Sequence, residues 1–158
     1  MDGQLEILAP FAKGIDLRDS VLKYKNGNFV ELEKILESFP NADKIISPLN
    51  SKITSQTVKN LLKIPHFAKL KYFIVKNVPE EFDIERFFIY IKTSQYTSIG
   101  LIFSKNSISE SYQNRRNEIV DEMINTKNHD FKVALISFPS CSSHKLHQIV
   151  EIRSKDRF

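Results

Sequence analysis

The residues best suited to chemistry lie near the C-terminus, in the stretch CSSHKLHQ, where Cys141, His144 and His147 follow one another at three-residue intervals. A thiolate and two imidazoles are ligands that zinc prefers. A closed structural site takes four ligands, however, and no fourth lies nearby. The other histidines, His66 and His129, are elsewhere in the chain. The spacing matches no common zinc module. A solvated terminal helix, with no metal, is the expected use of the segment. Cys141 as a nucleophile would need a base and a group to orient that base. His144 is near enough in sequence, but nothing around it points to an oxyanion hole.

Carboxylates gather at Glu80, Glu81, Asp83 and Glu85. Paired carboxylates can exchange protons with a substrate. They also belong at a helix N-terminus, where unsatisfied amide donors and the helix dipole favour negative charge, and that use is expected here. Arg115 and Arg116 fall among Glu110, Glu118, Asp121 and Glu122, which predicts an exposed, salt-bridged helix face. No glycine-rich phosphate loop or serine nucleophile elbow is present. The residues therefore point away from an enzyme and imply no cofactor.

Lysines 59, 63, 69 and 71 form the one basic strip that could meet phosphates. RNA binding through Lys59, Lys63, Lys69 and Lys71 is the alternative reading of the chain. It would gain from exposed aromatic rings for base stacking. The neighbouring Tyr72 and Phe73 are better used inside a strand. A net charge of +4 from 23 basic and 19 acidic residues is mild, and the lysines are scattered rather than gathered on one face. This weighs against nucleic acid.

The elements that position these groups follow from hydrophobic rhythm. In YFIVKNVPEEFDIERFFIYIK (residues 72–92), an apolar run breaks at Pro79 and resumes on a different period. Leu70, Tyr72 and Ile74 interleave with Phe73 and Val75, so both faces of the first run are apolar, as in a strand of a parallel sheet. Asp83 suits an N-cap, with Ile84, Phe87, Phe88 and Ile91 on one helical face behind it. The unit recurs. Asn28 and Glu31 suggest a capping box ahead of Leu32, Ile35, Leu36 and Phe39. Asp43–Ser47 reads as a strand, and Val58, Leu61 and Leu62 as a helical stripe closed by Pro65. Thr97–Ser104 is a further strand, and Ser107 with Glu110 caps the longest helix, whose stripe runs through Ile108, Tyr112, Ile119, Val120, Met123 and Ile124. Phe131–Phe138 is the last strand, before a final helix from Ser143 to about Ile152.

Strands starting near Asp43, Leu70, Thr97 and Phe131 are spaced by 27, 27 and 34 residues. Strands and helices alternating at that interval predict an α/β fold with right-handed crossovers and a parallel sheet. The period touches the range of about 20–29 residues typical of leucine-rich repeats, although the asparagine of that consensus is kept only in LKYFIVKNV. The expected fold is a degenerate, leucine-rich-repeat-like β-α arc over residues 28–152. Residues 1–27 form an edge segment, in which QLEILAPF and GIDLRDSVLKY add strands, and residues 153–158 form a tail. A single cysteine excludes an internal disulfide and fits a reducing compartment. Acidic residues interrupt the first twenty positions, so no secretory leader is expected, and no apolar run approaches the roughly 18 residues of a membrane span. An intracellular protein that does not span a membrane is expected.

The region KLKYFIVKNVPEEFDIERFFIYIKTSQYTSIGLIFSKNSISESYQNRRNEIVDEMI resembles the C-terminal domain of nematode F-box proteins, the FTH-type or related F-box-associated domains. The KYF strand, the VPEEFDI turn, the FFIYIK helix, IGLIF, and FPNADKII upstream carry the likeness, over roughly residues 28–140. It implies a non-enzymatic protein-interaction domain, of the kind that presents substrates to a cullin ubiquitin ligase. The stretch before residue 28 is shorter than the about 40–50 residues an F-box core needs. A Skp-family adaptor would then be a partner only through an F-box elsewhere. A β-α arc displays one strand face to partners. The expected contact set is Lys71, Phe73 and Val75, or, with the register shifted by one, Leu70, Tyr72 and Ile74.

Overall fold

The computed structural model describes residues 11–104 and 107–155. Five strands, β1 (Gly14–Asp16), β2 (Lys44–Ile46), β3 (Tyr72–Lys76), β4 (Ser98–Ile102) and β5 (Leu135–Ser137), form one sheet in the order β1-β2-β3-β4-β5, and every neighbouring pair is parallel. Helices α1 (Leu32–Glu37), α2 (Thr57–Leu61), α3 (Ile84–Thr93) and α4 (Glu110–Asn125) lie in the crossovers, and α5 (Ser143–Lys155) follows β5. Each crossover steps one strand in the same direction. Parallel crossovers are right-handed almost without exception, so stepping one way puts all the helices on one side of the sheet. The result is an open α/β arc with no closed barrel.

The core follows from this one-sidedness. The register aligns Ile45, Phe73 and Ile99 across the sheet, then Val75, Leu101 and Ile136 one pleat further on. All six are essentially inaccessible and face the helix layer. Against them pack Ile35 and Leu36 of α1, Val58 and Leu61 of α2, Phe87, Phe88 and Ile91 of α3, and Ile119, Val120 and Met123 of α4. Phe67, Phe73, Phe87 and Tyr90 form an aromatic knot between sheet and helices, with Phe67 edge-on to Phe73 at 5.0 Å between ring centroids. At the end of β2 the Ser47 hydroxyl takes over from the backbone ladder, accepting the Lys76 amide at 2.9 Å.

Several boundaries differ from the sequence reading. The stretch GIDLRDSVLKY does contribute β1, whereas QLEILAPF lies, except for Phe11, outside the described residues. Asn28 caps nothing. Its carbonyl accepts the Tyr24 amide in a small hairpin closed by the Lys23–Phe29 bridge, and α1 begins four residues later behind Glu31. Ser107 is not the cap of α4 either, because that helix starts behind Ser109. Asp83 does cap α3, its Oδ1 accepting the Arg86 amide at 3.0 Å. At the other end α5 runs to Lys155, so residues 153–155 are helix rather than tail.

Candidate protein-binding face

With the helices all on one side, the opposite sheet face is built from alternate strand residues. Across the register it reads Gly14, Lys44, Tyr72 and Ser98 in one row, and Asp16, Ile46, Ile74, Gly100 and Leu135 in the next. Lys76, Ile102 and Ser137 make the third. Ile46, Ile74 and Ile102 are outside the hydrophobic core cluster, although Ile46 is well shielded by its neighbours. Tyr72 is 50% exposed. Gly100 is buried in the middle row with the Ile74 side chain against it: a β-carbon at position 100 would sit 3.4 Å from that side chain, in ordinary contact.

Phe73 and Val75, expected as contact residues, are instead fully buried, because their side of β3 faces the helix layer. Of the shifted set, Leu70 is also buried in the core, while Tyr72 and Ile74 do face outwards. Lys71 precedes the strand and forms an ion pair with Asp43 at 3.0 Å. The outward residues of β3 are therefore Tyr72, Ile74 and Lys76. No single residue signalled which face would be outside. The phenol beside three fully apolar side chains in the YFIVK run was the one hint.

The electrostatics of the face are one-signed from β2 onwards. Strands β2–β5 carry two lysines, Lys44 and Lys76, and no carboxylate. The acid of the face is Asp16 on the β1 edge, and Arg18 grips it through Nε and Nη2, with Nη2–Oδ2 at 2.6 Å. The Arg18 guanidinium holds the Asp16 carboxyl below its ordinary pKa, with a smaller contribution from Lys44.

The other candidate groups do not converge. Lys59, Lys63 and Lys69 are exposed on α2, the turn after it and the 3-10 turn Phe67–Lys69. Lys63 lines a cleft with Glu33, Glu37 and His66, so acids share its surroundings. His144 and His147 are exposed on α5, and Cys141 is half-buried before it, its thiol pushed up in pKa chiefly by burial. Among the described residues no three His, Cys, Asp or Glu side chains are placed to hold a metal ion. Glu80 accepts the Ser109 amide at 2.8 Å and Glu85 pairs with Arg115, so both of these carboxylates are tied to the next helix.

Arg116 overturns its expected exposure. It is 2% accessible, with its guanidinium carbon 3.8 Å from the centroid of the Phe138 ring and 4.8 Å from that of Phe103. Its Nε and Nη1 have no hydrogen-bond partner among the described residues. A planar cation can stack on aromatic faces as an ammonium cannot, and here β4 and β5 lead directly into the two rings. The sequence carried no sign of this, since both phenylalanines are distant from residue 116.

Fold and face together define a one-sided parallel β-α arc with an apolar, lysine-flanked sheet surface. In comparison with known proteins, the chain matches no family model, no curated protein and no solved structure.

Proposed function

We propose that this chain is a non-enzymatic protein-binding module that works through the outer face of its sheet. The observation that carries the reading is Tyr72, an aromatic side chain half in solvent at the start of the central strand of a regular, rigid surface, beside Ile46 and Ile74. Tyrosine supplies a large amphipathic contact at little conformational cost, and binding energy tends to concentrate on such residues. Strands held on both sides by hydrogen bonds position it without ordering a loop. The resemblance to F-box-associated domains supports the same reading. It extends it to recruiting a protein substrate to a ubiquitin ligase, with a Skp-family adaptor contacted only through an F-box.

A photo-crosslinking amino acid placed at position 72 tests this. In lysate it should join to a discrete protein partner, and the same group at Ile89, a still more exposed apolar residue on the helix side, should not. Tyr72→Ala should abolish the interaction while leaving stability within about 0.5 kcal/mol, as for other surface changes. A crosslink to RNA at position 72, or equal protein crosslinking at both positions, would replace this reading with another.

A further inference from the structure

We infer that the partner of this face is an extended acidic segment in which two carboxylates, four residues apart, flank an apolar residue. The inference rests on the reading of the face as protein-binding and adds the chemistry of what binds. Three observations on the sheet carry it: the sign of its charge, the separation of its two lysines, and what lies between them.

Lys44 opens the outer row of β2, in register with Tyr72. Lys76 closes the outer positions of β3, four residues beyond Tyr72. At about 3.3 Å per residue along a strand and about 4.8 Å between strands, the two positions are about 14 Å apart. Ile46 and Ile74, themselves a register pair, lie between them. The pattern is cation, apolar step, cation, on strands with no carboxylate.

A partner must mirror that pattern. In an extended chain residues i, i+2 and i+4 share one face and span about 13 Å. The motif acid–x–apolar–x–acid therefore puts each carboxylate over a lysine and its central side chain over Ile74. A helical segment would need about nine residues to cover the same distance. Nucleic acid fits less well, because two cations separated by isoleucines offer few phosphate contacts.

The experiment is a fluorescence-polarisation titration of the full chain with the labelled peptide Gly-Ser-Glu-Ser-Leu-Ser-Glu-Ser-Gly. Parallel peptides carry the two glutamates two or six residues apart, and one has both replaced by lysine. The four-residue spacing should bind most tightly. Lys44→Glu and Lys76→Glu should each weaken it by about tenfold. The double charge reversal should bind the lysine peptide instead. Lys76→Gln gives the same direction without introducing a charge, and circular dichroism verifies that each variant is folded. Equal affinity at all spacings, no response to either lysine, or displacement of the peptide by oligouridylate would overturn the inference. If no acidic peptide binds while a protein still crosslinks at position 72, the acidic partner is wrong and the binding face stands. If both experiments fail, both readings fall.

Discussion

Tyr112 shows how one side chain links packing to solution behaviour. Its hydroxyl donates to the Phe82 carbonyl at 2.9 Å, its ring lies beside Phe103, and burial pushes its pKa well above the ordinary phenol value. The ionised form is disfavoured in the folded state, so the unfolded chain loses this proton first. The stabilisation is complete below the free phenol pKa of about 10 and is lost as pH rises beyond it. Urea midpoints should therefore fall above about pH 10, and Tyr112→Phe should flatten that alkaline limb. Its neighbour Arg116 shows where residue-level reading stops. An arginine among glutamates has every local reason to be a surface residue, and only the meeting of Phe103 and Phe138 in space makes it an interior one.

The same division between local and distant causes explains which helix ends could be read. Asp83 stands directly before an apolar stripe and caps it, a relation contained within four residues. Asp83→Ala should cost about 1 kcal/mol in urea unfolding. Asn28→Ala and Ser107→Ala, which look like caps in sequence and are not, should change stability by no more than about 0.5 kcal/mol. Asn28 fails because its capping-box partner is engaged elsewhere: the Glu31 carboxylate accepts the Tyr24 hydroxyl at 2.6 Å and pairs with Lys52. The Ser107 start is displaced because the Ser109 amide is taken by Glu80, 29 residues away. The alternation of strands and helices was legible because each of strands β2–β5 lies in a short, continuous apolar run with a helical stripe after it. The register of β3 was not, because such a run reads alike from either side.

For the whole molecule, the sequential strand order followed from the spacing of the units, while the closure of the last unit did not. That closure depends on Arg153 near the end of α5, which donates to the Ile99 and Val133 carbonyls at 3.0 and 2.8 Å and to the Ser98 hydroxyl at 2.7 Å. One side chain thus ties the final helix to β4 and to the segment entering β5. Arg153→Ala should lower stability by roughly 1–3 kcal/mol, since it leaves carbonyl acceptors without their charged donor. Native-state hydrogen exchange should quicken first in α5 and β5, with β2 and β3 little affected. The expected likeness to F-box-associated domains rests on packing and turn residues, and such residues specify a scaffold more than an occupant. Because folding consumes only one side of each strand, the residues on the other side are free to diverge. Lys44, Tyr72, Ile74 and Lys76 could be exchanged for another set and the same framework would still assemble, so related scaffolds can acquire new targets by altering a handful of codons.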